Sequence, residues 1–217
     1  YDLGDTAAWQ VYDGVEDESV GTQMAVKATA GQVLTYNGTI IEAVFHSSAG
    51  GCTENVENVW VQALPYLRSV PDYDQGSPVY QWSETFSRSD LSNRISGVGN
   101  IVALQPEKIT PCGRVISMQV IGEDGKRQVK RSVSGETLRN ALGLRSTLFT
   151  IVPQAGTTDT KSKQNAPGSF QVTGRGFGHG LGLSQWGAYN LAQRGANYQQ
   201  ILSHYYQKTT LAQIQVQ

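Results

Sequence analysis

Apolar and polar residues alternate in short blocks along this 217-residue chain, and turn-forming residues separate the blocks. The first clear pattern is helical. Val20, Met24 and Ala28 recur every fourth residue, which predicts a helix over residues 16–30 that Gly31 stops. Residues 1–14, with Trp9 and Val11, read as an extended lead-in. Residues 32–36 and 39–46 flank Asn37-Gly38, a pair suited to the left-handed dihedrals of a type I′ turn, and so predict a β-hairpin. Asn37-Gly38-Thr39 also spells a glycosylation acceptor, but the tight turn is the simpler reading.

Further strands are predicted over 79–86, 101–109, 114–122, 127–133, 147–152 and 169–173, with residues 123–126 as a turn. Short helices are predicted over 87–95, where Asp90 and Arg94 stand four apart, and over 135–142, with Ser134 as N-cap and Gly143 as stop. Two more follow over 184–193 and 198–206, the second capped by Asn197, before an edge strand at 211–216. Hairpins and mixed or antiparallel strands with several short helices define an α+β class, expected as a single domain over 1–217. Residues 153–168 carry almost no apolar side chain and read as a mobile surface loop within it.

Composition narrows the functional classes. The net charge is −1 and the isoelectric point about 6.3, so no electrostatic pull toward nucleic acid is evident. No run of 18 apolar residues exists to form a membrane span. With 24 glycines and only 16% charged residues, the polar side rests on Ser, Thr, Asn and Gln, as on an extracytoplasmic surface. Cys52 and Cys112 would close one long disulfide loop in an oxidising compartment; in the cytosol they would be thiols or ligands.

The densest chemistry lies in residues 174–187. Glycine occupies every second position from Gly174 to Gly182, with Arg175, Phe177 and His179 between, and the run opens into a helical pattern. Backbone N–H groups, an Arg and a His near a helix start suit an anion or a polar sugar. The bare G-x-G-x-x-G pattern is a weak nucleotide signal here: no Lys-Ser or Lys-Thr follows it and no βαβ unit surrounds it. A second polar stretch runs from Ser47 through Gly50, Gly51, Thr53 and Glu54 to Glu57, Trp60, Tyr66 and Arg68. Aromatic rings stack on sugar faces while Asn, Glu and Arg bind hydroxyls and amides, so this stretch suits a carbohydrate groove.

These residues carry a resemblance. Phe45-His46-Ser47-Ser48-Ala49-Gly50-Gly51, then Thr53-Glu54-Asn55-Val56-Glu57-Asn58-Val59-Trp60 and Pro65-Tyr66-Leu67, resemble the SpoIID/LytB domain family. So do the glycine run with Ser184-Gln185-Trp186-Gly187-Ala188, the stretch 200–206, and Asp5-Thr6 to Gln10-Val11-Tyr12. The resemblance implies peptidoglycan work outside the cytoplasm of a bacterium, in the periplasm or cell wall. Its sporulation member is a lytic transglycosylase acting on glycan strands stripped of stem peptides; other members are enhancers that assist a cell-wall amidase. A lytic transglycosylase needs one carboxyl, which protonates the glycosidic oxygen and then accepts a proton from the sugar's own 6-hydroxyl, where ordinary glycosidases use two. The family's proposed catalytic Glu precedes the Asp5-Thr6 stretch, so the acid is expected from an upstream segment missing here, and this chain alone is expected to be inactive or very weak. Glu54 and Glu57 are the remaining candidates.

The expected substrate-binding set places His46, Ser47, Ser48, Glu54 and Glu57 on one wall and Arg175, His179, Gln185 and Trp186 on the other, with Gly50, Gly51, Thr53, Trp60 and Tyr66 in the same set. Two glycine-rich polar loops, each fed by a strand, bury cheaply only against one another or a ligand. Some members of the family carry zinc at the positions of His46 and Cys52, and their further cysteine falls at Asn58 here. No cofactor is the first expectation. A zinc held by His46, Cys52 and Cys112 is the alternative, and the disulfide would compete with it. Cleavage of glycan strands and activation of an amidase are thus the two functions in contention; a metal hydrolase using His46 and His179 lacks the His-Glu-x-x-His pattern.

Overall fold

A computed structural model of the chain describes residues 14–60, 62–125, 127–154 and 167–214. The lead-in at 1–13 and most of the loop expected at 153–168 lie outside the described residues. The chain forms two compact units, residues 1–41 with 210–217, and residues 42–209.

In the first unit, α1 (Val20–Ala28) is shorter than its periodicity predicts because a cap fixes its start. The Ser19 hydroxyl accepts the Thr22 N–H while the Thr22 hydroxyl accepts the Ser19 N–H. Gly31, at φ +71°, turns the chain beyond its end. Strands β1 (Gln32–Tyr36) and β2 (Thr39–Ile40) form the expected hairpin, with Asn37 and Gly38 both at positive φ, as a type I′ turn requires. The last strand of the chain, Thr210–Gln213, pairs antiparallel along the other edge of β1. The strand predicted over 39–46 is divided: after Ile41 donates to Leu34 the ladder ends, and β3 (Phe45–His46) pairs elsewhere.

The second unit continues with β4 (Gln81–Ser87), α2 (Arg88–Arg94), β5 (Asn100–Ile109), β6 (Val115–Asp124), β7 (Arg127–Ser134), α3 (Gly135–Leu142), β8 (Phe149–Gln154), β9 (Ser169–Arg175), β10 (Leu183–Ser184), α4 (Gln185–Gln193) and α5 (Tyr198–Tyr205). Strands β5, β6 and β7 form an antiparallel meander, and β9 lies between β4 and β8 in a second antiparallel sheet. Pro106 is tolerated in β5 because β5 is an edge strand. The inward residues of both sheets meet in one core: Phe86, Phe149, Phe170 and Val172 from one, Ile101, Met118 and Val120 from the other, closed by Leu91 of α2 and Leu138 of α3. The fold is α+β, as the sequence predicts.

The Asp90–Arg94 pair does not form. Asp90 caps α2 through Ser87, whose backbone N–H and hydroxyl both donate to it, and Arg94 lies over the Phe86 ring and donates to the Leu142 carbonyl. The cap wins because the Asp90 carboxylate takes two hydrogen bonds from Ser87 while the Ser87 hydroxyl accepts the Asp90 N–H, whereas an exposed i,i+4 pair contributes only ~0.3–0.5 kcal/mol. Among the described residues no helix is long and apolar enough to cross a membrane.

Candidate functional site

The two polar loops meet. Strand β3 lies parallel to β10, with His46 opposite Ser184. Beyond them, Ser48 and Phe177 exchange both backbone hydrogen bonds, at 3.1 and 2.8 Å. The Glu54 N–H donates to the Gly180 carbonyl at 2.8 Å, and the Trp186 N–H donates to that of Ser47 at 3.0 Å. The alternating glycines allow this approach. A Cβ on Gly178, at φ +115°, would stand 2.6 Å from the His46 Cβ, and one on Gly180 would stand 2.4 Å from the Arg114 guanidinium carbon.

At this junction His46 and His179 lie with ring centroids 5.2 Å apart, and the half-exposed Trp60 indole is 5.6 Å from His179. Their partners fix both tautomers. His46 Nδ1 lies 3.0 Å from the Leu181 carbonyl, which can only accept, so Nδ1 carries the proton and Nε2 keeps its lone pair. His179 Nε2 donates to the Phe45 carbonyl, while its Nδ1 accepts the Leu181 N–H, each at 3.0 Å. His46 Nε2 is therefore the one imidazole nitrogen of the pair without a hydrogen-bond partner among the described residues, and it is buried. An exposed aromatic face braced on an imidazole can stack on a sugar.

Burial holds both imidazoles neutral. It lowers His46 well below the usual range, with His179 and Arg114 adding to the effect, and lowers His179 to about 4. The sign of the linkage follows: the unfolded chain takes up protons near pH 6.5, while folded His179 resists them until about pH 4. The stabilising effect is thus complete above pH 6.5 and is lost as the pH falls through that window. His179→Gln, which retains an amide donor, is expected to flatten this dependence. The comparison is thermal melting of both proteins from pH 7 to 4; parallel curves would sink the assignment.

Several residues expected on the walls are buried and hydrogen-bonded within the fold. Ser48 donates its hydroxyl to Asp74, Thr53 accepts the Val70 N–H, and Glu54 accepts from the Thr110 hydroxyl and the Asn58 amide. Tyr66 is also buried and accepts the Glu42 N–H. Gly50 donates its N–H to Asp74 at 2.7 Å. Glu57 is exposed but held by Arg68 through both oxygens, which lowers its carboxyl below the usual range. Gln185 is exposed at the start of α4, and the partly buried Trp186 packs edge-on to Tyr189. Arg175 lies beside Tyr80, its Nη1 3.5 Å from the phenol, on the outer face of β9.

Reasoning from the sequence passed over the polar groups beneath the site. Arg114 is 1% exposed and donates to the carbonyls of Ala49 and Gly178, so it ties both loops together. Burial lowers its pKa to about 10 against the attraction of Glu54. Tyr205 donates to Asp72 at 2.6 Å, and burial pushes the Asp72 carboxyl up against the pull of the Ser184 and Tyr205 hydroxyls. Lone charged or polar residues without a motif give no signal of such burial.

Cys52 and Cys112 form a disulfide. In this structure both sulfurs are committed, the Asn58 amide is spent on Glu54, and only His46 Nε2 remains from the donor set of the zinc alternative. One nitrogen does not fit a structural or catalytic zinc site. Among the described residues no three His, Cys, Asp or Glu side chains gather as a metal site.

Fold and junction together define an α+β protein in which an aromatic and imidazole cluster sits where two glycine-rich loops cross. The sequence model of the Stage II sporulation protein family matches residues 1–36, and that of a domain of unknown function, DUF8618, matches residues 57–182. Stage II sporulation protein D of Bacillus subtilis (strain 168) is 36% identical over 197 residues, covering 87% of this chain and 50% of that protein. The amidase enhancer of the same organism is 30% identical over 246 residues, covering 95% of this chain and 34% of that protein. The chain belongs to the SpoIID/LytB family. It spans about half the length of the sporulation protein and about a third of the enhancer.

Proposed function

We propose that this protein works on bacterial cell-wall peptidoglycan outside the cytoplasm, gripping glycan strands at the junction of Trp60, His179 and His46. The observation that carries the reading is the half-exposed Trp60 indole against the His179 ring, which the enclosed His46 imidazole backs: a stacking face held in place by a buried histidine pair. A pyranose face can cover the Trp60 indole. Gln185, close along the chain to the Trp186–Ser47 bond, offers an amide at the edge of the same junction.

The reaction we assign to the whole protein is lytic transglycosylation. Its acid protonates the glycosidic oxygen, the 6-hydroxyl of the same sugar closes onto the anomeric carbon, and the carboxylate takes up the hydroxyl proton, with no water consumed. Glu54 and Glu57 are both engaged elsewhere, so we assign this acid to a segment outside the described residues and a binding role to the loops. The second reading, a glycan-gripping activator of a cell-wall amidase, is favoured by that same engagement of the two carboxylates and by the likeness to the amidase enhancer.

Trp60→Ala is expected to weaken binding of a stem-peptide-free glycan oligosaccharide at least tenfold, about 1.4 kcal/mol, with the melting temperature nearly unchanged. Tryptophan fluorescence titration reads it for the wild type, and calorimetry for both proteins. Unchanged affinity in the variant would overturn the site. Anhydro-sugar ends formed by the whole protein from such strands would separate cleavage from activation.

A further inference from the structure

The sheet β4-β9-β8 has an outward face that the reading above does not use. Two rows of side chains cross it. Ser83, Thr173 and Thr150 stand side by side in one, and Gln81, Arg175 and Leu148 in the next. The rows follow from period-two geometry, since Trp82, Gly174 and Phe149 turn the other way into the core. Gly174 permits this, because a Cβ there would lie 2.1 Å from the Trp82 indole.

The face is not flat. Leu148 is buried beneath two glycines of neighbouring loops: a Cβ on Gly50 would meet it at 2.8 Å, and one on Gly113 at 3.3 Å. The disulfide joins the next residues of those loops, Cys52 by way of Gly51 and Cys112 directly. A covalently braced wall thus closes one end of an open cleft of about 740 Å³, within the range of small-ligand sites. Its lining carries hydroxyls and an amide among apolar surface: the Thr150 and Thr173 hydroxyls lie 3.0 Å apart, and Ser83 and Gln81 stand beside them. Arg175 is exposed. Among the described residues its guanidinium has no carboxylate partner and reaches only the Tyr80 hydroxyl.

We propose that this cleft is a second glycan subsite, one that recognises a carboxylate carried on the sugar chain. The inference rests on the reading of the protein as a glycan binder. A row of hydroxyls and amides matches sugar hydroxyls and acetamides, and a cation without a counter-ion selects an anionic chain over a neutral one. In stem-peptide-free peptidoglycan each muramic acid bears a free lactyl carboxylate, whereas a chain bearing its peptides has that carboxyl tied up as an amide. Arg175 is the group that would pair with that lactyl carboxylate, at a place separate in the sequence from Trp60.

Three probes test this on the purified protein: an oligosaccharide of alternating N-acetylglucosamine and N-acetylmuramic acid without peptides, a chitin oligosaccharide of the same length, and poly-glutamate. Binding is followed by calorimetry and by the backbone amide NMR signals of Thr150 and Thr173. The carboxylated oligosaccharide is expected to bind at least tenfold tighter than chitin and to shift both signals. Arg175→Gln should erase that preference while leaving the melting temperature unchanged, and Trp60→Ala should weaken both oligosaccharides with the preference intact. Equal wild-type affinities, unmoved Thr150 and Thr173 signals, or a preference surviving Arg175→Gln would each overturn the subsite. Poly-glutamate binding as tightly as the glycan would overturn its assignment to sugars. Failure of Trp60→Ala to weaken either oligosaccharide, with the carboxylate preference intact, would overturn the Trp60 junction and leave the cleft standing.

Discussion

Glu54→Ala is expected to destabilise the protein by roughly 2–4 kcal/mol, because it leaves the buried Thr110 hydroxyl and the Asn58 amide without their acceptor and removes one of the negative charges that offset the burial of Arg114. Glu54 is 1% exposed and accepts from the Thr110 hydroxyl and the Asn58 amide. Its backbone N–H holds Gly180, and its charge offsets the desolvation of Arg114. Without the carboxylate, Arg114 stays buried with only carbonyl partners and Thr110 loses its acceptor. Glu54→Gln preserves the shape and one acceptor and should cost about half as much. Urea unfolding of the three proteins measures the series. A loss below about 1 kcal/mol for Glu54→Ala would show that the buried network contributes little. The same series bears on chemistry. An acid acting directly on substrate would lose activity in Glu54→Gln at unchanged stability, whereas a structural carboxylate loses both together.

Opening the disulfide is expected to cost about 4 kcal/mol by loop entropy. The two cysteines are 60 residues apart, so reduction frees a long loop in the unfolded chain. For a chain of this size the loss corresponds to a fall in melting temperature on the order of 10 °C. The bridge joins the Gly50-Gly51 loop to the turn from Thr110 to Gly113, where the Thr110 carbonyl accepts the Gly113 N–H. Both flank Leu148, so reduction should also loosen the cleft wall. The double variant Cys52→Ser, Cys112→Ser and the reduced wild type should melt alike, and intact mass should rise by two hydrogens on reduction. An unchanged melting temperature after verified reduction would remove the bridge from the account of stability. Zinc added to the oxidised protein should leave melting unchanged, since the thiolates it would need are absent.

Much of the secondary structure was legible because its signals are local. Asn37-Gly38 specified a turn through the dihedrals its residues tolerate, and Ser134 with Gly143 bounded α3 through the groups each end leaves unpaired. The division of residues 39–46 was not legible. Its alternation suits one strand, yet Phe45 and His46 leave the hairpin for β10, about 140 positions away. Local periodicity reports which face a residue prefers and says nothing about the strand that will be its neighbour.

The same division runs through the site. The sequence by itself determined the family, the α+β class, the two polar glycine-rich loops and the cysteine pair, because each rests on residue identity and short spacing. Only the tertiary structure decided which polar residues are spent. Ser48, Thr53 and Glu54 stand in the motif beside His46 and carry the same kinds of group, yet burial commits them to internal partners, while His46 Nε2 is enclosed without one among the described residues. It likewise set Arg175 on a sheet face with Thr150, Thr173 and Ser83, residues that no motif connects. A buried polar group must find a partner, and the identity of that partner is set by which distant segments pack together.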